Sequence, residues 1–288
     1  MPSAGDGALL PPCQTPLYLI YYTYYMAGGD PVKYGICEWS ALAEGETLFA
    51  RLKRVGLEGV QVSYRPGDFL RRMEEYGALS RAYGVTLTSV GANIFCEKPI
   101  FGMDGQELEA ITEEICRGAL LTEGKLFHVP AFGASTVKTE EQFRDTARGL
   151  RQVCDVAARF GVTPAAENPL SLEENRELFR LVGRQNLRMY FDTQNPQTTP
   201  HPDAPLQAAA FASLIPEVHV KDCDGAGRSA APGRGVTRCA DTLAALFRGG
   251  YRGWLLLEND YSRLPDPEEG MGADLAALKA LTEELCRS

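Results

Sequence analysis

Residues 217–222 read EVHVKD, a short apolar run that carries the potential metal ligand His219. Three other segments of the second half have the same form: PAAENP contains Glu167, RMYFDTQNP contains Asp192 and WLLLEND contains Glu258. Helical patterns separate these segments, so each one is predicted to be a buried parallel strand that ends on a polar side chain. Because the carboxyl ends of parallel barrel strands share one rim, we expect the four side chains to meet.

The same alternation of strand-like and helix-like patterns extends back to Val32 and gives eight units, which predicts a single-domain (β/α)₈ TIM barrel over residues 32–288. A doubly wound open sheet is the alternative, but GICEWS follows the first strand where that fold usually has a glycine-rich turn. Thr139 with Gln142 and Ser171 with Glu174 have capping-box spacing. The predicted strands are Val32–Trp39, Leu57–Tyr64, Val85–Asn93, Lys125–Phe132, Val162–Glu167, Leu187–Asp192, Pro216–Lys221 and Arg252–Glu258. The predicted helices are Gly45–Val55, Asp68–Tyr83, Gln106–Leu121, Thr139–Phe160, Ser171–Val182, Pro205–Leu214, Thr237–Arg248 and Gly272–Cys286.

Residues 1–31 precede the first predicted strand and form an N-terminal extension. Proline, glycine and small residues dominate Met1–Pro16, which predicts that the extension is partly disordered. Leu17–Tyr25 is aromatic and apolar, and it could be a strand, an extra packing segment or a dimer contact.

Composition excludes several classes of protein. The 288 residues carry a formal net charge of −9 without a long basic run, so nucleic acid is not an expected partner. No apolar run is long enough for a membrane helix, and the first basic residue is Lys33, so the charged start of a signal peptide is missing. The eight cysteines include no C-x-x-C pair. We therefore expect a cytoplasmic protein with reduced thiols.

Three carboxylates and one imidazole form a ligand set that suits a single hard or borderline divalent cation, such as Mn²⁺, Mg²⁺ or Co²⁺. Singly, an acidic residue after a strand is commonly a helix cap, and a lone histidine is commonly a hydrogen-bonded core residue. Four consecutive strands that each end on a possible ligand favour metal binding instead.

Several segments resemble the sugar phosphate isomerase/epimerase family, which has the xylose isomerase-like barrel. The resemblance covers about Val32 to Cys286, and the order Glu, Asp, His, Glu with HVKD in the third place is fairly specific for the family. It is poorly specific for the substrate. The segments that carry it are VKYGICEW, GLEGVQV, ENP, FDTQNP, HVKD, PGRG and GYRGWLLLEND.

The resemblance implies that Glu167, Asp192, His219 and Glu258 hold one divalent ion, most commonly Mn²⁺. It also implies that Glu167 and Glu258 are the catalytic acid/base pair of an isomerase or epimerase. The substrate would be a ketose, a sugar phosphate or a related α-hydroxy ketone, and the reaction would pass through a metal-stabilised enediolate. Homo-oligomers are possible on the same grounds.

Other functions on this scaffold stay open. A lyase is the main alternative, because relatives include inosose and dehydroshikimate dehydratases, and cleavage of a keto-sugar C-glycoside is a variant of it. Apurinic-site DNA cleavage on the same barrel uses three zinc ions and many histidines, whereas this chain has three histidines and is acidic. A non-catalytic metal-binding or sugar-binding protein is a further possibility.

Six residues near the predicted rim are candidates for substrate binding, and five of them have a purely structural alternative. Asn195 could cap the turn after its strand, and Lys221 could pair with Asp222. Arg228 and Arg234 lie in the loop DGAGRSAAPGRG, where solvated side chains are common. Trp39 could be a core residue. His128, inside the fourth strand, is either a buried barrel residue or a wall of the site. The six candidates are Asn195, Lys221, Arg228, Arg234, Trp39 and Asn93.

Overall fold

The structure is a computed structural model that describes residues 32–197, 199 and 203–287. The chain divides into two units, Met1–Pro31 and Val32–Ser288, and only the second contains described residues. The predictions for the N-terminal extension and for its segment Leu17–Tyr25 therefore lie outside the described residues, as does His201.

Parallel strands form a nearly closed barrel with helices outside it, which confirms the predicted fold class. The hydrogen-bonded order around the barrel is β6-β5-β4-β3-β2-β1-β11-β8-β7, and β9 and β10 form a separate two-stranded hairpin. The strands are β1 Lys33–Cys37, β2 Gly59–Ser63, β3 Thr86–Gly91, β4 Leu126–Pro130, β5 Thr163–Glu167, β6 Arg188–Met189, β7 Phe191–Asp192, β8 Glu217–Val220, β9 Asp222–Cys223, β10 Ser229–Ala230 and β11 Trp254–Leu257.

The sixth predicted strand, Leu187–Asp192, is divided into β6 and β7 at Tyr190. β6 pairs with β5, and β7 pairs with β8. The backbone N–H of Tyr190 donates to Ala166 at 2.9 Å, so the strand leaves one neighbour and joins the other around this residue. This change of pairing partner continues the sheet around the barrel and places Asp192 in register with His219.

The helices pack their apolar faces on the barrel and follow the predicted pattern with shifted ends. Ser171 and Glu174 form the predicted capping box. Thr139 caps the backbone N–H of Gln142, but the side chain of Gln142 accepts from Lys138, so the second predicted box is half formed. The α-helices are Glu38–Ala41, Gly45–Val55, Phe69–Tyr83, Ile94–Glu97, Gly105–Ala119, Glu140–Phe160, Leu172–Val182, Ala204–Phe211, Cys239–Arg248 and Pro267–Arg287.

Two predicted boundaries were wrong for local reasons. The closing helix begins at Pro267, five residues before Gly272, because the carboxylate of Asp266 accepts the free backbone N–H groups of Glu268 and Glu269. The first strand ends at Cys37 rather than Trp39, because a helical turn begins at the following residue.

The seven cysteines in the described part of the chain are free, in agreement with the expected reduced thiols. Among the described residues, no helix has the length and apolar character needed to cross a membrane.

A buried ion pair fixes the end of β1 against the neighbouring strand and helix. The side chain of Glu38 is fully buried and lies 2.7 Å from Arg72. Its oxygens also accept the backbone N–H of Ser63 and the hydroxyl of Tyr76, each at 2.8 Å. Removal of Glu38 would leave the buried guanidinium of Arg72 as a charge without its partner.

We expect Glu38→Ala to lower the free energy of unfolding by about 3–5 kcal/mol, the usual cost of breaking a buried pair. The matched control is Glu44→Ala, since Glu44 pairs with Arg65 at the surface and is 61% exposed, where pairs contribute about 0–1 kcal/mol. Urea denaturation of both variants measures the difference, and equal losses would contradict the structural role of Glu38.

Candidate active site

The four predicted metal ligands come together at one end of the barrel. Glu167 ends β5, Asp192 ends β7, His219 lies in β8 and Glu258 directly follows β11. The Nδ1 atom of His219 lies 3.3 Å from Glu258 Oε2 and 3.8 Å from Glu167 Oε2. Asp192 is 1% exposed and His219 is fully buried, so the cluster is largely shielded from water.

Lys221 lies inside this cluster. Its ammonium is 2.7 Å from Glu258 Oε2 and 3.2 Å from Asp192 Oδ2. The alternative pairing with Asp222 does not form, because the Asp222 carboxylate accepts from the backbone of the 233–237 loop and from Thr237 Oγ1. The lysine therefore neutralises two of the three carboxylates that the strands bring together.

The buried charges shift one another's protonation. Burial raises the pKa of Asp192 to about 7, although Lys221 acts in the opposite direction. Burial also disfavours the charged form of Glu167, but the hydrogen bond with His128 and the nearby imidazole of His219 outweigh it and hold the pKa of that carboxyl below its usual value. Burial alone would lower the pKa of Lys221, but the carboxylates of Asp192 and Glu258 raise it well above its usual value.

The donor set fits a divalent cation. His219 Nδ1 and Asp192 Oδ2 are buried and have no hydrogen-bond partner in the described part of the chain, although the Lys221 ammonium lies 3.2 Å from Asp192 Oδ2. His128, Glu167 and His219 each offer a ligand atom within 4.8 Å of the others, and so do Cys37, His219 and Glu258. Nitrogen and oxygen atoms without hydrogen-bond partners in a cluster of carboxylates match what a borderline metal ion binds.

Besides Lys221, two of the six candidate side chains contact the glutamates. Trp39 Nε1 donates to Glu258 Oε1 at 3.0 Å, and its ring meets the His219 ring edge-on. Asn195 Nδ2 donates to Glu167 Oε1 at 3.0 Å, while its backbone N–H donates to Asp192 Oδ1 at 2.6 Å. The Asn195 side chain therefore contacts the cluster, whereas the turn is capped by Asp192, whose Oδ1 accepts from the backbone N–H groups of Gln194 and Asn195.

A cavity of about 220 Å³ opens beside Glu258. Its walls come from the segments after β1 and β11 and from Lys221, which follows β8. Pockets for drug-sized ligands usually measure about 300–1,000 Å³, so this one suits a smaller molecule. The residues that line it are Trp39, Ser40, Leu42, Lys221, Glu258, Asn259, Asp260 and Tyr261.

The remaining candidates do not join the cluster through any contact in the described residues. Arg228 is 78% exposed and pairs with Asp224 of its own loop at 2.7 Å. Arg234 is exposed in the same loop. Asn93 precedes the helix Ile94–Glu97, and its backbone carbonyl accepts from Cys96.

His128 is a member of the cluster that the sequence left undecided. Its Nε2 lies 2.6 Å from Glu167 Oε2, and it is 2% exposed. The register pairs His128 with Ala165, two residues before Glu167, so the side chain reaches toward the rim from inside β4. A histidine within an otherwise apolar strand, KLFHVPAF, was the available signal.

Comparisons with known proteins agree with this fold. A family model described as a xylose isomerase-like TIM barrel matches residues 49–281. The chain belongs to this family. The match confirms the resemblance found in the sequence, and it covers most of the barrel.

Solved structures of the same fold include several sugar epimerases. An L-ribulose 3-epimerase is 19% identical, with a TM-score of 0.71, covering 89% of this chain and 96% of that one. A 3-keto-D-glucoside 4-epimerase from E. coli is 18% identical, with a TM-score of 0.67 and coverages of 86% and 99%. A D-allulose 3-epimerase from Methylomonas sp. in complex with D-allulose is 14% identical, with a TM-score of 0.67 and coverages of 87% and 97%. No curated protein is similar enough in sequence to count as a match.

We expect Lys221→Met to destabilise the metal-free barrel, because the carboxylates of Asp192 and Glu258 then lose the positive charge that they share. A loss of about 3 kcal/mol corresponds to a fall in melting temperature of about 5 °C or more. Thermal unfolding in a chelator measures it, and added Mn²⁺ is expected to raise the melting temperature of the variant more than that of the unchanged protein.

The control is Lys98→Met, because Lys98 forms a surface pair with Glu107 and is 53% exposed. If Lys221→Met and Lys98→Met unfold at the same temperature without metal, the neutralising role of Lys221 is wrong.

Proposed function

We propose that this xylose isomerase-like barrel is a divalent-metal-dependent isomerase or epimerase of an unphosphorylated ketose or related α-hydroxy ketone. The observation that carries the proposal is the approach of the buried Glu167 and the partly exposed Glu258 to the orphaned Nδ1 of His219. Isomerisation and epimerisation next to a carbonyl need two groups that move protons and one centre of positive charge.

The residues that would hold the ion are Glu167, Asp192, His219 and Glu258. A divalent ion, most suitably Mn²⁺ with Mg²⁺ or Co²⁺ as alternatives, supplies the positive charge that stabilises adjacent substrate oxygens when the α-proton leaves. Lys221 supplies a second positive charge at the same carboxylates.

The two glutamates are held for proton transfer by different neighbours. Glu167 receives hydrogen bonds from Asn195 and His128, and Glu258 receives them from Trp39 and Lys221. In the proposed reaction, one carboxylate removes the α-proton and the other returns a proton to the same or the neighbouring carbon. The carboxyl that starts the reaction depends on the stereochemistry of the substrate.

The size of the cavity and its charges favour a small uncharged substrate. Its cationic wall residue, Lys221, already contacts two carboxylates, while Glu258 and Asp260 give the cavity negative charge. Arg263 lies 3.8 Å from Asp260 but is 87% exposed. A phosphate group would therefore meet more negative than positive charge. The related solved structures include epimerases of L-ribulose and D-allulose, which agrees with a free keto-sugar.

Turnover in deuterated water tests the proposal. With Mn²⁺ and a panel of ketoses, keto-inositols and keto-acids, we expect one deuterium at the exchanged carbon of recovered substrate and product, read by mass spectrometry. The phosphate ester of the best ketose is expected to react more slowly than the free sugar. Loss of water from the substrate would instead support the lyase alternative.

Substitution of the proposed acid/base groups separates catalysis from folding. We expect Glu258→Gln and Glu167→Gln each to lower kcat by about 10²–10⁴-fold, the usual contribution of a positioned acid or base. The control is Glu173→Gln, since Glu173 is a surface residue with a side chain that is 76% exposed. Retained turnover in Glu258→Gln, with its metal content measured alongside, would contradict the assigned role.

A further inference from the structure

A second polar network lies inside the barrel in contact with His219. It consists of Gln61 from β2, Ser89 from β3, Tyr190 between β6 and β7, and Glu217 from β8. All four are at most 1% exposed. A carboxylate and an amide at such depth require partners, because a buried polar group without hydrogen bonds is costly.

The hydrogen bonds determine the orientation of the Gln61 amide. Its Nε2 lies 2.8 Å from Ser89 Oγ, 2.9 Å from Tyr190 Oη and 3.3 Å from Glu217 Oε2. Both hydroxyls donate their hydrogens to Glu217 Oε2, so they present lone pairs to Gln61. A reversed amide would place its oxygen against these lone pairs and lose all three contacts.

This orientation sets the proton on the histidine. Gln61 Oε1 lies 2.8 Å from His219 Nε2. A carbonyl oxygen can only accept, so Nε2 must carry the proton. In the neutral imidazole the other ring nitrogen, Nδ1, is then left with its lone pair, and it faces Glu258 Oε2 and Glu167 Oε2 at 3.3 and 3.8 Å.

We propose that Gln61 is a positioning residue that keeps His219 protonated at Nε2 and leaves Nδ1 as the metal ligand, and that Glu217 fixes the Gln61 amide for this task. The proposal extends the proposed metal site. Partners of this kind orient ligating histidines in metal sites generally, and their loss typically weakens metal binding by about 10–100-fold.

The consequence of losing the acceptor follows from the distances. Without Gln61 Oε1, the Nε2 proton has no partner, whereas a proton at Nδ1 could be donated to Glu258 Oε2, 3.3 Å away. The imidazole would then change tautomer, and the nitrogen that faces the carboxylates would no longer be a ligand.

Two measurements test the proposal. The first is the ¹⁵N spectrum of the imidazole rings in the metal-free protein, at an alkaline pH at which they are neutral. The chain has three histidines, and single substitutions of His128 and His201 assign the signals. The expected result is a proton on Nε2 of His219, and a proton on Nδ1 would overturn the proposal.

The second measurement is Mn²⁺ affinity, followed by the electron paramagnetic resonance of the free ion. We expect Gln61→Leu to bind Mn²⁺ about 10–100-fold more weakly, and to move the His219 proton to Nδ1. The double variant Gln61→Glu with Glu217→Gln keeps an acceptor for His219 and the net charge of the network, so it is expected to restore the tautomer and most of the affinity.

The matched control is Gln207→Leu. Gln207 is also buried and hydrogen-bonded, to Asn175, Leu170 and Asp203 on the outside of the barrel. Equal losses of affinity in Gln61→Leu and Gln207→Leu, or none in either, would overturn the positioning role. If the unchanged protein binds no metal, the proposed function fails, but the tautomer of His219 in the metal-free protein still decides this inference.

Discussion

The structure depends on a balance of charge where the barrel strands end. β5, β7 and the end of β11 bring three carboxylates to the buried His219, and like charges at this depth repel one another strongly. Lys221 relieves part of this repulsion by contacting Asp192 and Glu258. The remaining requirement for positive charge is the physical argument for the proposed cation at this position, beside which the substrate would bind.

The barrel supplies the geometry that makes this balance possible. The division of the sixth strand at Tyr190 lets β6 pair with β5 while β7 pairs with β8. The exchange sets Asp192 beside His219, and the Tyr190 hydroxyl reaches the interior carboxylate of Glu217. One residue therefore connects closure of the sheet with the network that holds the imidazole.

Much of the fold and the convergence of the four candidate ligands could be predicted from the sequence, because strand ends follow from the alternation of patterns and all strand ends share one rim. The positions of Asp192 and Glu258 at the rim could be predicted in this way from the strand ends alone. The partners of the side chains could not be predicted from the sequence. Lys221 contacts Glu258 inside the cluster, whereas Arg228, seven residues later, pairs within its own loop. Gln61 and Glu217 were missed, although EVHV places Glu217 and His219 two residues apart and so on the same face of the strand.

Anomalous diffraction from crystals soaked in Mn²⁺ tests the central claim most directly, because it locates the ion without relying on turnover. A single manganese peak bounded by Glu167, Asp192, His219 and Glu258, with His219 bound through Nδ1, is the predicted result. A peak bound by other residues, or none at this rim at saturating Mn²⁺, would contradict the metal site and the reaction built on it.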